Sequence, residues 1–201
     1  MSLHARIYDV VSRFEERRGL LEWRRALVGE LTGEVLELGV GTGRNLRHYP
    51  AGARVIASDR DPVMLSRAIP RAERAAAKVR LLVADAMRLP FPDSSADVVV
   101  IGLMLCSVPH PQKALAEVAR VLRPGGSLRV VEHVRDRDGS VRARVQDAVN
   151  PVWRVVSGGC NCNRDTVRSV EEAGFELRRH YEFPIGRSHV APHVMVDAGL
   201  P

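Results

Sequence analysis

A cluster of glycines directly after a short apolar segment is the feature that most constrains the fold of this chain. Val35-Leu36-Glu37-Leu38 has the length and composition of a buried strand, and Gly39-Val40-Gly41-Thr42-Gly43 follows it. Glycines at a strand end let the backbone turn tightly and approach a ligand without an intervening side chain. A helix-compatible stretch over 44–49 comes next. The sequence therefore predicts a strand, a ligand-binding turn and a helix.

The spacing of these glycines disfavours two common nucleotide sites. The dinucleotide fingerprint G-x-G-x-x-G requires a third glycine at the position that Arg44 occupies. A P-loop requires a Lys-Ser/Thr pair after its glycines, and none follows here. The turn is expected to hold a different ligand.

The remainder of the chain alternates between strand-like and helix-like segments. Further strands are predicted at 54–58, 79–83, 97–104, 127–134, 175–183 and 193–198, with helices at 62–77, 111–122 and 163–173. Such alternation is typical of an α/β fold, with a mainly parallel sheet covered by helices on both faces. The last two strands are separated by only 184–192, too few residues for a helical crossover, so we expect an antiparallel hairpin there.

The 201 residues are enough for a single domain. Residues 1–31 carry apolar positions at helical spacing and predict a helical cover that bends near Gly19. An arginine-rich, helical-looking insertion at 135–162 follows the carboxyl end of a strand. Because ligands bind at that end of open α/β sheets, the insertion is interpreted as a lid.

Charge and composition limit the partners. The net charge is +6, so anionic partners must be considered, but aromatic residues make up only 4% and the arginines are scattered. We therefore expect a small-molecule partner rather than a nucleic acid, and no obligate protein partner is evident. A second interpretation of the basic N-terminal helix is peripheral contact with a membrane. No secretory signal is apparent, and a cytoplasmic location is predicted.

The three cysteines predict no metal site. Cys160 and Cys162 lack the spacing of common zinc ligands, and an odd number of cysteines cannot all pair within the chain. We expect reduced thiols, with Cys160 packed beneath the lid and Asn163 capping the following helix.

Two acidic residues end the next two strands. Asp59 lies about 20 residues after the glycine turn, where a carboxylate can accept both hydroxyls of a ribose. Asp85 ends the third strand, near the expected position of an adenine, although a lone acidic residue there is also typical of a turn. Together with the glycine turn, they predict a nucleoside-containing cofactor.

These residues resemble the motifs of class I S-adenosylmethionine-dependent methyltransferases. The resemblance extends over 35–134 and includes Leu36 to Gly43, Ser58-Asp59, Ala84-Asp85-Ala86 and Val121-Leu122-Arg123-Pro124-Gly125-Gly126. It implies a Rossmann-like, doubly wound sheet of seven strands with an antiparallel last strand, and S-adenosylmethionine as cofactor. The cofactor-binding residues that it implies are Glu37, Gly39, Gly41, Gly43, Asn45, Asp59, Arg60, Asp85, Ala86 and Leu103.

A narrower resemblance extends almost to the C-terminus. Leu105-Cys106-Ser107-Val108, Glu132-His133-Val134, Asn150-Pro151-Val152-Trp153 and Gly159-Cys160-Asn161 are similar to segments of the alkyl thiol S-methyltransferases, although Asn150 stands where aspartate is usual. The chain more distantly resembles phosphatidylethanolamine N-methyltransferases and quinone C-methyltransferases. An alkyl thiol acceptor is implied. Phospholipid amines, quinones and a non-catalytic S-adenosylmethionine-binding role are the alternatives.

His133, at the end of the fifth predicted strand, is the candidate base or acceptor-orienting residue, and a structural role for it is equally compatible with the sequence. Trp153, Cys160 and His193 are the candidate substrate-binding residues. His110 is interpreted as a turn residue between two prolines.

Overall fold

The described part of the chain forms a seven-stranded sheet. The computed structural model describes residue 9 and residues 12–184 and 192–201. The strands are β1 (Gly33–Leu38), β2 (Ala53–Asp59), β3 (Lys78–Val83), β4 (Ala96–Gly102), β5 (Leu122–His133), β6 (Glu176–Phe183) and β7 (His193–Gly199). Their order is β3-β2-β1-β4-β5-β7-β6.

The first five strands run parallel, and β7 inserts antiparallel between β5 and β6. This confirms the α/β fold and the hairpin expected from the short 184–192 connection. The strand order reverses between β1 and β4. Ligands bind in open α/β sheets at such a switch point, beyond the carboxyl ends of the strands.

Helices cover both faces of the sheet. They are α1 (Leu21–Val28), α2 (Pro62–Glu73), α3 (Pro111–Val121), α4 (Val141–Val156) and α5 (Thr166–Glu172). One core cluster packs α3 and α5 against strand residues such as Leu38 and Ile101. A second core cluster packs α1 and α2 against alternate residues such as Val35 and Val100. Successive strand side chains point to opposite faces, which explains the two cores.

Several local expectations need correction. The stretch over 44–49 forms only a short 3-10 turn, Leu46–His48, rather than a helix. Asn163 does not cap α5, because Asp165 is the capping residue and accepts a hydrogen bond from the backbone of Arg168. The expected bend of the N-terminal helical cover, by contrast, is confirmed in its described part, where Gly19 has a φ of 122° inside a π-helical segment, Glu16–Leu20. Residues 1–8, 10 and 11 lie outside the described part of the chain.

The helix α4 lies in the predicted lid region and differs from the other helices. It follows the carboxyl end of β5, but none of its described residues belongs to either core cluster. Its N-terminus is capped by Ser140, whose hydroxyl accepts a hydrogen bond from the backbone of Ala143. The residues directly after it, Ser157 and Gly158, line the cleft described next.

Candidate active site

A cleft at the carboxyl ends of the parallel strands contains most of the predicted cofactor-binding residues. Its lining includes Gly39, Gly41, Asp59, Arg60, Asp85, Ala86 and Leu103. These residues follow four different strands, so the sheet topology brings together segments that are far apart in sequence. Met104, Ser107 and Val108, after β4, also line the cleft and were not predicted. Their position after a strand that meets the same sheet edge was the available signal.

The glycine turn requires glycine for its conformation. Gly39, Gly41 and Gly43 have φ values of 68°, 56° and 81°, in the left-handed region that other residues rarely adopt. A Cβ on Gly39 would lie 2.4 Å from the Cγ of Met104. The turn therefore passes close to the segment after β4.

Asp59 stabilises the glycine turn while lining the cleft. Its Oδ2 accepts a 2.9 Å hydrogen bond from the backbone of Gly41, and its Oδ1 accepts one from the backbone of Asp61. A carboxylate has about four acceptor sites, so capacity remains for ribose hydroxyls. The turn and Asp59 are thus positioned relative to each other without a ligand.

Asp85 combines the two interpretations suggested by the sequence. Its Oδ1 accepts a 2.9 Å hydrogen bond from the backbone of Met87, as in a turn, yet Asp85 also lines the cleft. Leu103, which also lines the cleft, has a φ of 58° and donates its backbone N–H to the carbonyl oxygen of Val131. A left-handed conformation at a non-glycine residue is uncommon and is enriched at functional sites.

Three predicted cofactor-binding residues do not line the cleft. Gly43 packs against α2, and a Cβ there would lie 3.0 Å from that of Ala68. Asn45 accepts a hydrogen bond from Arg24 and donates one of 2.8 Å to Glu37. Burial raises the pKa of Glu37 to about 7, and the Asn45 hydrogen bond opposes this shift. These residues support the turn from behind.

The predicted catalytic and substrate-binding residues lie close to one another. The Sγ of Cys160 is 3.5 Å from Nδ1 of His133. The His133 and His193 rings are in tilted contact with centroids 4.3 Å apart, because the two residues are paired in register across β5 and β7. Trp153 is close enough to Cys160 to lower the pKa of its thiol. His110, exposed at the start of α3, is absent from the residues that line the cleft.

Cys106 completes this group, which the sequence had not singled out as a site. The Sγ of Cys106, the Sγ of Cys160 and a ring nitrogen of His133 all lie within 4.8 Å of one another. We call these three residues the thiol–imidazole cluster. The signal that could have identified Cys106 is its position just after β4, two residues before Val108 in the cleft lining.

Hydrogen bonds from buried groups fix the loops that carry the cluster. Asn161 donates both its backbone N–H and its side-chain N–H to the carbonyl oxygen of Cys106, each at 2.9 Å. Glu132, fully buried at the end of β5, accepts hydrogen bonds from the backbones of Met104, Leu105 and Cys106. The Cys106 loop is thereby held to both Cys160 and His133.

Contacts within the cluster shift the pKa values of its members in different directions. The hydrogen bond from Cys106, together with His133, lowers the pKa of Cys160 to about 4, against the effect of burial. The same hydrogen bond and burial raise the pKa of Cys106 well above its usual range. Burial acts to lower the pKa of His133, but contact with Cys160 and nearby carboxylates raises it above its ordinary value. The arrangement favours a Cys160 thiolate beside a protonated His133.

Cys162 does not join the cluster. Its Sγ lies 3.7 Å from the carbonyl oxygen of Gln146 and 3.6 Å from Oδ1 of Asn150. The expectation of no metal considered only Cys160 and Cys162; it stays a prediction, which elemental analysis of the purified protein checks. Among the described residues, no helix combines the length and apolar character needed to cross a bilayer.

The cleft suits S-adenosylmethionine by its chemistry. Carboxylates at the ends of β2 and β3 can accept hydrogen bonds from hydroxyl and amino groups of a nucleoside, and the glycine turn leaves room for a close backbone approach. Residues 36–130 match the model of the methyltransferase domain family. The chain belongs to the class I S-adenosylmethionine-dependent methyltransferases.

Curated relatives include enzymes with different acceptors. The thiol S-methyltransferase TMT1B of Homo sapiens is 39% identical over 192 residues, which cover 91% of this chain and 78% of that protein. The demethylmenaquinone methyltransferase of Thermus thermophilus is 34% identical, over 82% of this chain and 80% of that protein.

A solved structure supports the fold. A crystal structure of a methyltransferase from Bacillus halodurans, itself described as putative, superposes with a TM-score of 0.72 at 18% identity, covering 90% of this chain and 97% of that one. The expected fold and family are confirmed.

Proposed function

We propose that this chain transfers a methyl group from S-adenosylmethionine to a small, fairly apolar thiol. The observation that carries the proposal is the thiol–imidazole cluster beside the cofactor cleft, with the Sγ of Cys160 3.5 Å from Nδ1 of His133. The 39% identity to human thiol S-methyltransferase over most of the chain supports it. The chain's membership of the family defines the methyl donor, and the cluster provides the chemistry that a thiol requires.

A thiol acceptor must lose its proton to become a good nucleophile. Ordinary thiols have pKa values near 8.5, and the thiolate is the reactive form. The acceptor thiol releases its proton to solvent, and the protonated imidazole of His133 stabilises the resulting acceptor thiolate. The Cys160 thiolate keeps His133 protonated. The acceptor thiolate takes the methyl group, S-adenosylhomocysteine leaves, and the cluster is unchanged.

When bound, S-adenosylmethionine supplies a methyl group on a positively charged sulfur. The chain's residues place the acceptor in line with that methyl group and exclude water. Such alignment alone supplies a large part of a rate enhancement, because well-oriented reactants reach effective molarities of about 10⁵ M or more. Gly39, Gly41 and Asp59 would hold the donor. His133, Cys160 and His193 would hold the acceptor, with Trp153 as an apolar wall.

The test is methyl transfer from labelled S-adenosylmethionine to a matched panel of acceptors. The panel contains alkyl thiols, amines, phenols, reduced quinones and liposomes with phosphatidylethanolamine. We expect a methyl thioether to be the main product and S-adenosylhomocysteine to accumulate with the thiol. Absence of product from every thiol overturns the acceptor assignment.

The second candidate is quinone C-methylation, favoured by the 34% identity to a demethylmenaquinone methyltransferase over 82% of this chain. Methylated quinol with no thioether would support it. Tight S-adenosylmethionine binding with no product from any acceptor would instead support a non-catalytic role.

A further inference from the structure

Two amide side chains of the helix α4, Val141–Val156, face the protein. Gln146 is fully buried, accepts a hydrogen bond from the backbone of Asp136, and donates to the carbonyl oxygens of Val134 and Cys162. Asn150, one turn later, accepts a 3.0 Å hydrogen bond from the backbone of Cys162. A helix that only covers a core presents its apolar stripe inward. These amides, together with the buried side chain of Ala143, attach α4 to the protein in place of a broad hydrophobic stripe.

The outward face of α4 is apolar. The exposed fractions are 76% for Val141, 67% for Val152, 81% for Val155 and 69% for Val156, and Val145 is 42% exposed. At about 100° per residue, these five valines fall within an arc of about 100° opposite Gln146. We call them the valine stripe. An exposed apolar stripe of this length marks an interaction surface rather than an ordinary solvated face.

Positive charge borders the valine stripe on both sides. Arg142 and Arg144, both exposed, lie at the two edges of the stripe on the same helical projection. Arg142 also lies 3.7 Å from a carboxylate oxygen of Asp136, and Arg144 donates to the carbonyl oxygen of Gly139. The acidic residue of α4, Asp147, is bound to Arg135 and Asn163 and so is directed away from the stripe. An apolar stripe flanked by arginines matches the interfacial region of an anionic bilayer.

A second copy of this chain is a less suitable partner for the valine stripe than an anionic bilayer. Two valine stripes packed against each other would bring Arg142 and Arg144 of both copies together. The nearby Asp147 is already occupied by Arg135. Like charges at a helix–helix contact are destabilising. The charge pattern therefore favours a negatively charged partner over self-association.

The valine stripe is also close in sequence to residues of the candidate active site. Ser157 and Gly158 follow α4 directly and line the cleft, and Trp153, on the inner side of α4, contacts Cys160. A surface bound through the stripe would thus lie beside the acceptor side of the site. This placement suits an apolar acceptor dissolved in a bilayer.

We propose that the valine stripe of α4 binds the surface of an anionic phospholipid membrane. The helix lies in the plane of the interface. Its valines are at the boundary between the headgroups and the acyl chains, and its arginines contact the phosphates. The inference goes beyond the proposed function and does not depend on the identity of the acceptor. It differs from the expected contact through the N-terminal helix, because it assigns the contact to α4.

The test is flotation of the purified full chain with vesicles of phosphatidylglycerol and phosphatidylcholine. We expect the wild type to float and Val152→Asp/Val155→Asp to lose at least tenfold in vesicle affinity. Ile69→Asp on α2 is the matched control, because Ile69 is also exposed, at 47%, but lies outside the stripe. Arg142→Gln/Arg144→Gln should weaken binding and reduce its dependence on salt.

Other outcomes overturn the proposal. They are a wild type that does not float, a double aspartate variant that binds like the wild type, or a wild-type dimer that the same variant dissociates. Loss of binding in Arg13→Gln/Arg17→Gln with full retention in the valine variant would assign the contact to the N-terminal helix. Circular dichroism and turnover with a water-soluble thiol establish that the valine variant is folded, so loss of binding is not loss of structure.

Discussion

The two halves of the site are built in different ways. The cofactor half consists of a glycine turn and carboxylates at successive strand ends, and its main contact, from Gly41 to Asp59, joins residues 18 apart. The acceptor half combines Cys106, His133, Cys160 and His193 from four segments of the chain. Backbone conformation specifies the first half, whereas side-chain chemistry specifies the second. Substitutions should therefore affect binding of the donor in one half and turnover in the other.

The largest expected effect is on turnover through His133. Replacing His133 with alanine removes the positive charge that stabilises the acceptor thiolate, so kcat should fall about a hundredfold or more. Cofactor affinity should change less than about threefold, because His133 lies outside the cleft lining. Steady-state kinetics and calorimetry with S-adenosylhomocysteine measure the two quantities.

His110→Ala is the matched control for His133→Ala, because His110 is exposed at the start of α3. The control should keep wild-type turnover. If His133→Ala also kept it, His133 would have a structural role only.

The next effect is on cofactor affinity through Asp59. Asp59→Ala removes the acceptor for ribose hydroxyls and also the 2.9 Å hydrogen bond that positions Gly41. We expect a loss of roughly 1.5 to 3 kcal/mol in binding free energy, or about 10- to 150-fold in Kd. Calorimetric titration with S-adenosylhomocysteine measures it.

Asp165→Ala controls for the loss of stability that accompanies Asp59→Ala. It removes the N-cap of α5 and should lower the free energy of unfolding by about 1 kcal/mol. Cofactor affinity should not change in this variant. An Asp59→Ala protein with wild-type affinity would contradict the ribose assignment.

The difference between the halves also explains what could be predicted from the sequence. The glycine turn, Asp59 and Asp85 are recognisable because each lies at the end of a strand that its own residues indicate. The proximity of Cys106 to Cys160 depends on the hydrogen bonds that Asn161 donates and Glu132 accepts, which join segments 55 and 26 residues apart. Local patterns contain no signal for such contacts. Asn163 was similarly given a capping role that Asp165 performs, because both residue types favour that position.

A smaller effect is expected in the pH dependence of turnover through Cys160. Because the pKa of Cys160 is lowered to about 4, its thiolate persists through neutral pH and keeps His133 protonated beside the acceptor. Serine cannot ionise, so in Cys160→Ser the charge on His133 that favours the acceptor thiolate is weakened, and turnover should depend on acceptor molecules that are already ionised. We expect the acid limb of the kcat profile to move upward, towards the pKa of the acceptor thiol, near 8.5. At pH 7 the variant should be several-fold to about thirtyfold slower.

Cys162→Ser provides the comparison, because Cys162 contacts Gln146 and Asn150 rather than the thiol–imidazole cluster. Its profile should match that of the wild type. Coincident profiles for the Cys160 variant and the wild type would show that the charge of Cys160 does not affect ionisation of the acceptor.

The smallest effect should be on the free energy of unfolding, through Glu37, which supports the glycine turn. Burial raises the pKa of Glu37 to about 7, so between about pH 4.5 and 7 the folded chain binds a proton that the unfolded chain has released. The contribution of Glu37 to stability is therefore fully present below pH 4.5 and is lost as the pH rises to 7. Glu37→Gln keeps an uncharged group beside Asn45, and should flatten this dependence by about 1–2 kcal/mol. Urea unfolding of both proteins at pH 5 and pH 8 measures the difference. Equal pH dependence in the two proteins would mean that Glu37 is ionised in the folded chain. The group hydrogen-bonded to Asn45 behind the glycine turn would then be a charged carboxylate rather than a neutral carboxyl.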